Sequence, residues 1–408
     1  MIFGEMKQNR WFALCVIGIS VFFSLSLWFS ASVITSQLKV IWNVTPLTEA
    51  WLSASIPTGF VIGAFISAYF GIADRFNVRK LFALSALLGA LFNFLIIFSD
   101  QAIFGIALRI LTGITLAGVY PPAIKLIAQW FPKQRGIATG IIIAALTLGT
   151  ALPHLITILI PTTNNILVLA VSSMLSIIAA AMIFILLKDA PVSSKRTPFS
   201  MGMLVQVFRN KPVMLANYGY FGHMWELYAM WTWLPVFLTA SFTKSSSEPW
   251  MGTLVSFLSI GVAGGIGCIL GGIVADKIGR SNLTVIAMAI SAFCAIGIGM
   301  VFGHLLWLTI VLALIWGMAV IADSAQFSVA VSEFAEVEYV GTALTFQMCI
   351  GFLITIVSIN IIPMFQRWVG WEWVFVLLSI GPILGIVSMI KFKSFERDAK
   401  VKVRKTAQ

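Results

Sequence analysis

Charged residues are scarce in this chain of 408 residues. Only 10% of its residues are charged, whereas 60% are hydrophobic. Soluble domains contain about 25% charged residues, so the composition excludes an ordinary globular enzyme. It equally excludes a disordered or collagen-like chain. A mean hydropathy of +1.00 indicates that the lipid bilayer is the solvent of this protein.

Cysteine is also rare, and its placement argues against metal or disulfide chemistry. The four cysteines, Cys15, Cys268, Cys294 and Cys349, are far apart and lie inside apolar runs. They read as small core side chains rather than as a disulfide framework or metal site. No nucleotide-binding loop and no nucleophile–base set is recognisable. We therefore expect no cofactor and no metal, and an enzyme or a non-transporting sensor is disfavoured.

Twelve apolar runs account for most of the sequence. A transmembrane helix needs roughly 20 apolar residues, and 408 residues allow twelve such helices without a sizeable extra domain. The runs cover 12–34, 50–70, 82–99, 102–127, 137–160, 166–187, 213–239, 251–274, 283–303, 305–330, 342–364 and 373–391. We predict an N-terminal six-helix bundle over 1–187, a linker over 188–212, a C-terminal six-helix bundle over 213–391 and a basic tail over 392–408.

Basic residues outnumber acidic ones, with 26 Lys and Arg against 15 Asp and Glu, for a net charge of +11. In a soluble protein this would suggest nucleic acid, but no interleaving of basic and aromatic residues supports that partner. If the chain starts in the cytoplasm, 21 of the 26 fall in cytoplasmic loops and tails, and only Lys39, Lys244 and Arg367 fall outside. This bias predicts a cell (inner) membrane protein with both termini cytoplasmic. The basic tail either rests on anionic lipid headgroups or is simply solvated.

The two halves of the chain repeat each other. Asp74 and Asp276, in the loops after the second and eighth runs, are 202 residues apart. Trp28 and Trp231, in the first and seventh runs, are 203 apart. These offsets indicate an internal duplication, and a six-plus-six repeat places a binding site between the halves near the membrane midplane.

Several short motifs carry a family resemblance. The loop after the second run reads GIADRFNVRK from Gly71, and the loop after the eighth run reads GIVADKIGR from Gly272. The fourth run contains Arg109 and Gly113 in an Arg-x-x-x-Gly pattern. On these motifs the sequence resembles the major facilitator superfamily over nearly its whole length. The resemblance implies an all-α membrane protein of twelve transmembrane helices in two pseudosymmetric bundles, working by rocking-bundle alternating access.

The resemblance also implies that the two loop motifs latch the cytoplasmic side of the transporter in its outward-open state. Helix N-termini favour the anionic side chains that these motifs carry. The alternative is that the charges only set the topology. The predicted latch residues are Asp74, Arg75, Arg79, Gly272, Asp276, Gly279 and Arg280.

Charged side chains inside a span are functional candidates by default. The resemblance implies that spans 1, 4, 7 and 10 line the cavity, so Arg109, His223, Glu226 and Asp323 would share it. Burial disfavours a charged carboxylate, so Glu226 is the first candidate proton carrier; it would pair with Arg109 when ionised. Its alternative role is a static contact between helices. Asp323 is either a second proton carrier or a partner of Lys125, and Arg109 suits an anionic substrate or a structural ion pair.

Aromatic residues are the other cavity candidates, although Trp and Tyr also favour membrane interfaces. They are Trp28, Tyr120, Trp225 and Trp231. The predicted function is proton-coupled movement of a small organic solute, more readily an anion than a cation, by a monomer surrounded by membrane lipids. The alternative is a drug or metabolite efflux antiporter. Of the Gly-Pro-rich fifth helix usual in the family's drug antiporters, only Gly149 and Pro153 are present in a comparable arrangement, which disfavours that alternative.

Overall fold

The twelve predicted spans are present, and they are helical. The computed structural model describes residues 9–42, 45–131, 135–160, 166–189, 200–336 and 338–406, and contains no strand in these ranges. Ten helices are long and apolar enough to cross a membrane. Two further helices complete the twelve: Arg10–Leu25, which is short but apolar, and Lys211–Lys244, which carries Asn217, His223 and Glu226 among its buried residues.

The spans are numbered 1 to 12 along the chain. Those of the first half are Arg10–Leu25, Pro46–Tyr69, Val78–Leu95, Ala102–Leu116 with Tyr120–Trp130, Arg135–Leu159 and Leu167–Leu186. Those of the second half are Lys211–Lys244, Pro249–Phe257 with Leu258–Ala263 and Gly264–Ile278, Arg280–Met300, Leu306–Ala322 with Ser324–Phe334, Val340–Trp373 and Val376–Thr406. Short helices at Ser32–Ile34, Thr35–Trp42, Ile72–Arg75, Ile96–Phe98, Met201–Met203 and Leu204–Arg209 lie between them.

The predicted linker and tail are only partly within the described ranges. Residues 190–199 of the linker lie outside them, and the part that is described includes the helix Leu204–Arg209. Span 12 continues without interruption to Thr406, so the predicted tail forms the end of a long helix. The described ends of the chain share one face of the bundle with residues 70–77 and 279; we name it the terminal face.

The helix packing repeats between the halves. In the first half span 1 packs on spans 5 and 6, span 2 on span 4, and span 3 on spans 4 and 6; the corresponding helices six places later pack in the same way. Between the halves, the most extensive contacts join span 2 to span 11 and span 5 to span 8. The fold is therefore two pseudosymmetric six-helix bundles, as predicted.

Three spans are irregular near their middle. Span 4 is interrupted at residues 117–119, just before Pro121 and Pro122, because proline has no backbone N–H and cannot donate the helical hydrogen bond to the carbonyl four residues earlier. Span 10 is interrupted at Asp323, and span 8 contains a π-helical stretch at Leu258–Ala263. Interruptions at matching positions of two repeats are typical of transporter binding sites.

Candidate functional site

Four aromatic rings from both halves meet at the centre of the molecule. The rings of Trp28, three residues after the helix of span 1, and Tyr228 (span 7) stack at 5.1 Å with an interplanar angle of 28°. Phe60 (span 2) and Phe352 (span 11) lie 4.7 Å apart. We name Trp28, Phe60, Tyr228 and Phe352 the aromatic layer. Because Trp28 and Phe60 belong to one half and Tyr228 and Phe352 to the other, the layer joins the two halves.

The predicted cavity tryptophans divide into two groups. Trp28 belongs to the aromatic layer, and Trp231 is fully buried with its ring edge-on to Tyr228 at 5.2 Å. Trp225 is different, because its Nε1 donates a hydrogen bond to the carbonyl of Leu377 in span 12 (3.0 Å). Its ring lines a groove on the outer surface of the second half. The prediction that Trp225 faces the central cavity is therefore wrong.

His223 and Asp323 form a buried pair at the interruption of span 10. Nδ1 of His223 lies 2.9 Å from Oδ1 of Asp323, and the two residues are 2% and 1% exposed. The rings of Tyr220 and Phe327 pack against the imidazole at 6.0 and 5.5 Å. The second imidazole nitrogen, Nε2, is buried and has no hydrogen-bond partner in the described part of the chain. An unsatisfied nitrogen of this kind is free to form a hydrogen bond with a ligand.

Tyr120 and Cys268 lie on spans 4 and 8. Tyr120 is half-buried at the start of the second segment of span 4. Sγ of Cys268 in span 8 lies 3.7 Å from the hydroxyl of Thr147 in span 5, so a polar contact joins the two halves. Cys268 is a buried free thiol, as is Cys294, whereas Cys15 is exposed and so is not the core side chain that the sequence predicts.

Arg109 is fully buried within the first half, held largely by backbone carbonyls. Nε donates to the carbonyl of Leu52 (2.9 Å) and Nη2 to that of Trp28 (2.9 Å). Contacts at 3.3 Å to the hydroxyls of Ser55 and Ser32 complete this set. The carbonyl of Trp28 is available because the helix of span 1 ends at Leu25. One nitrogen, Nη1, is buried without a partner among the described residues.

Glu226 lies inside the second half and does not contact Arg109. Its Oε1 accepts a hydrogen bond from Nε1 of Trp316 (2.8 Å), and its Oε2 accepts one from the hydroxyl of Ser291 (2.7 Å). The expected Glu226–Arg109 pair is therefore not formed. Helical spacing placed Glu226 beside His223 on one face, but it could not reveal that spans 9 and 10 cover the carboxylate.

The loop after span 8 is built as a compact charged cluster. Arg280 Nη1 lies 2.9 Å from Asp276 Oδ1 and 2.9 Å from Gln326 Oε1, while Nη2 lies 3.5 Å from Glu333 Oε1. Gly279 has a φ of 96°, which side-chain-bearing residues rarely adopt. Gly272 has open space around it, so its motif position is not set by close packing.

A carboxylate from span 12 completes this cluster. Glu396 accepts hydrogen bonds from the backbone N–H of Arg280 (2.9 Å) and of Ser281 (3.1 Å), and also from the Ser281 hydroxyl (2.5 Å). These N–H groups begin span 9 and have no partner within the helix, so an anion stabilises them. The sequence analysis missed Glu396, although an acidic residue in an otherwise basic tail was a usable signal.

The loop after span 2 makes related contacts. Nε of Arg79 lies 3.4 Å from Asp189 Oδ1, which also accepts a hydrogen bond from Asn77 Nδ2 (2.8 Å); Nη1 of Arg79 donates to the carbonyl of Leu187. Arg75 is exposed, and the side chain of Asp74 lies outside the described part of the structure.

Lys125 contacts this loop rather than the central pair. Its Nζ donates to the carbonyl of Ala73 (2.6 Å), whereas Asp323 contacts His223. The alternative pairing of Asp323 with Lys125 is therefore not formed. Lys125 instead joins span 4 to the loop that follows span 2.

This chain is similar in sequence to one protein family and to several individual proteins. The family model of the Major Facilitator Superfamily matches residues 16–359. The chain is 28% identical over 152 residues to the niacin transporter NiaP of Acinetobacter baylyi, covering 35% of this chain but only 34% of that protein. It is 24% identical to an MFS-type transporter of Gibberella moniliformis, covering 74% of this chain and 71% of the relative. The inner membrane metabolite transport protein YgcS of Escherichia coli is 32% identical over 117 residues, or 28% of this chain and 26% of YgcS.

Solved structures share the fold at low sequence identity. The nucleoside transporter NupG superposes with a TM-score of 0.71 and 16% identity, covering 94% of this chain and all of that one. A D-xylose-proton symporter superposes with a TM-score of 0.72 and 14% identity, covering 93% of this chain and 96% of the other. At such identities the superpositions establish the fold alone.

Proposed function

Because this chain belongs to the major facilitator superfamily and is a multi-pass membrane transporter rather than an enzyme, we propose that it moves a small organic anion by proton-coupled alternating access. The observation that carries this proposal is the charge distribution around the aromatic layer. A cation, Arg109, lies on one side of it with an unpartnered nitrogen. A histidine–carboxylate pair, His223 and Asp323, lies in the other half.

Arg109 supports an anionic substrate. A buried charge is costly unless it is paired, and no carboxylate lies within ion-pair distance of this guanidinium among the described residues. Its four contacts are neutral carbonyl or hydroxyl oxygens, which satisfy hydrogen bonds but do not neutralise the charge. A substrate carboxylate would supply the missing charge and occupy Nη1, since guanidinium and carboxylate match in geometry.

The aromatic layer supports a substrate with a flat, apolar body. Trp28 and Tyr228 come from opposite halves and already stack on each other. When the halves rock apart, the same two faces would be free to stack on a ring from either side. One relative is named as a niacin transporter, and niacin combines a ring with a carboxylate. We therefore place ring-bearing carboxylates first among the candidate substrates.

The proton is assigned to the His223–Asp323 pair. Buried histidines and carboxylates inside membrane spans form the proton relays of transporters, and here His223 touches a carboxylate at the joint of span 10. Gain or loss of one proton changes the net charge of this buried site. The sequence favoured Glu226 instead, but the two donors that hold Glu226 within spans 9 and 10 favour a structural role for it.

The proposed setting follows from the charge bias. We place the terminal face in the cytoplasm of a cell (inner) membrane protein that works as a monomer, with the two bundles bounded as predicted. In a variant lacking native cysteines, an external, membrane-impermeant thiol reagent should label cysteines introduced beside Lys244 and Arg367 but not beside Arg280. Labelling beside Arg280 in intact cells would contradict this orientation.

The transport proposal is tested in two steps. Thermal-shift screening of the purified protein against a library of organic acids, with matched neutral amides as controls, should identify a carboxylate ligand whose amide does not bind. The protein is then reconstituted in liposomes, and accumulation of that ligand is measured with and without an imposed pH gradient. Accumulation should require the gradient, and ligand binding should fall at least tenfold in Arg109→Gln.

Two variants separate the candidate proton carriers. Asp323→Asn should retain exchange of ligand across the membrane but lose accumulation driven by the pH gradient, whereas Glu226→Gln should retain both. The reverse result would identify Glu226 as the proton carrier. Accumulation in wild-type liposomes that opposes the direction of the proton gradient would replace the symport proposal with the efflux antiporter.

A further inference from the structure

A deep groove opens on the outer surface of the second half, away from the aromatic layer. It has a volume of about 680 Å³ and lies between spans 7, 11 and 12. On span 7 it is lined by Trp225, whereas His223 two residues earlier points to Asp323. Successive helical residues are rotated by about 100°, so these two side chains lie on opposite sides of the span. The groove is thus separate from the proposed transport site.

Two glycines create the floor of the groove. A Cβ atom at Gly222 would lie 2.3 Å from the carbonyl oxygen of Gly381, and one at Gly381 would lie 2.4 Å from that of Gly222. Spans 7 and 12 therefore touch through their backbones at this point, and the side chain of Trp225 lies beside the contact, 2.7 Å from the position of a Cβ atom at Gly381. The Nε1 of Trp225 is satisfied by the Leu377 carbonyl, so the ring presents only an apolar surface to the groove.

The walls face the hydrocarbon of the membrane. Leu384 and Val357 line the groove and are 64% and 56% exposed. From Ile380 to Lys391 at its other end, the groove follows twelve residues of span 12, and the eleven steps between them span about 16 Å of helix. Half of a bilayer's hydrocarbon core is about 15 Å thick, so the groove has the length of one leaflet.

The end nearest the terminal face is charged and polar. Lys391 is exposed there, and no acidic residue is among the lining side chains. Tyr218, also half exposed, lies in the lining near the same end of span 7. A lysine and a tyrosine at this depth are the residues that anchor to lipid headgroups. Fully apolar walls with a cation at one end match a lipid tail with an anionic head.

We propose that this groove binds one anionic phospholipid, with its phosphate at Lys391 and Tyr218 and an acyl chain lying against Leu384, Val357 and Trp225. The site is specific because the close Gly222–Gly381 contact forms a recess. An acyl chain can lie inside this recess, whereas a flat surface would not hold it in one position. The charge of Lys391 then selects lipids by the charge of their headgroups, even when their acyl chains are the same. This proposal does not depend on which solute the protein transports.

Native mass spectrometry of the full-length protein in detergent tests the site, with phosphatidylglycerol and phosphatidylcholine of identical chains as probes. We expect wild-type protein to bind the first phosphatidylglycerol at least about five-fold more tightly than phosphatidylcholine, the effect of one favourable lysine near the headgroup. Lys391→Gln should abolish that preference. Lys393→Gln is the matched control, because Lys393 is exposed on the same helix but does not line the groove.

A second pair of variants tests the tail. Leu384→Trp fills the recess and should weaken binding of both lipids, whereas Ile390→Trp, exposed on the same span outside the groove, should not. Equal wild-type affinity for the two lipids, or equal effects of Lys391→Gln and Lys393→Gln, would overturn the headgroup assignment. Unchanged binding in Leu384→Trp would overturn the groove itself.

Discussion

Tyr120 and Asp323 lie 203 residues apart and occupy equivalent places in the two halves. Tyr120 begins the second segment of span 4, and Asp323 joins the two segments of span 10. The duplication has therefore placed a phenol at one interruption and a carboxylate at the other. In the second half a histidine, His223, contacts this position. Under the proposed function, this half would carry the proton while the other binds the substrate.

His223 and Asp323 should behave as one unit in transport. We expect His223→Gln to lose accumulation driven by the pH gradient as fully as Asp323→Asn, and the double variant to be no worse than either. The effects of substitutions at residues in direct contact are not additive. At independent sites, the fold losses of uptake in the two single variants would multiply in the double variant. The measurement is ligand uptake into liposomes with an acid exterior. Tyr120→Phe is the control at the symmetric position and should keep gradient-driven uptake within about twofold.

The Glu226 cluster should contribute to stability rather than to coupling. Glu226→Leu leaves the N–H of Trp316 and the hydroxyl of Ser291 without their acceptor, which should cost about 1–3 kcal/mol in the free energy of unfolding. The triple variant Glu226→Leu, Trp316→Phe, Ser291→Ala removes all three polar groups and should recover part of the loss. Thermal unfolding in detergent measures both. A triple variant less stable than Glu226→Leu would show that the polar groups matter for another reason.

The sequence predicted the number of spans, the duplication and the positions of the buried charges, because each depends on composition or regular spacing. It did not predict the partners of those charges. His223 and Glu226 are three residues apart, yet one contacts span 10 at its joint and the other is covered by spans 9 and 10. Arg109 donates one of its hydrogen bonds to the carbonyl of Trp28, which is available because the helix of span 1 ends at Leu25. Such contacts depend on tertiary packing, which periodicity does not encode.

Gly113 should be required for the position of Arg109. A Cβ atom at Gly113 would lie 2.3 Å from the carbonyl oxygen of Ile56, so spans 2 and 4 touch through their backbones there. Gly113→Val would separate the spans and pull the guanidinium from the carbonyl of Leu52. We expect ligand binding to fall at least tenfold, with a loss of stability of about 1–3 kcal/mol from overpacking. Ligand titration and thermal unfolding measure these effects.

Gly272→Ala is the matched control for that substitution. Gly272 belongs to a family motif, but a Cβ atom there would meet nothing within 4 Å. Alanine also favours a helix over glycine by up to about 1 kcal/mol. We expect unchanged binding and equal or higher thermal stability. Loss of binding in Gly272→Ala together with normal binding in Gly113→Val would contradict the steric argument for both positions.

Glu396 should set the strength of the charged cluster at the terminal face. It holds the start of span 9 through the backbone N–H groups of Arg280 and Ser281, while the Arg280 side chain contacts Asp276 and Glu333. Span 12 is thereby tied to spans 8, 9 and 10 at one point. Glu396→Gln keeps the size of the side chain but removes its charge, and the interaction of a carboxylate with a helix N-terminus is worth about 0.3–2 kcal/mol.

We therefore expect Glu396→Gln to lower thermal stability modestly and to shift the balance between conformations open to the two sides, as reported by accessibility of cysteines placed beside Lys244 and beside Arg280. Asp276→Asn should shift the same balance, because it weakens the Arg280 contacts. Glu338→Gln removes a charge from an exposed residue on the same face and is the control. Substrate affinity, measured by ligand titration, should change little in all three variants. If Glu396→Gln abolished binding while leaving both accessibilities unchanged, the cluster would act on the site directly rather than through the conformational balance.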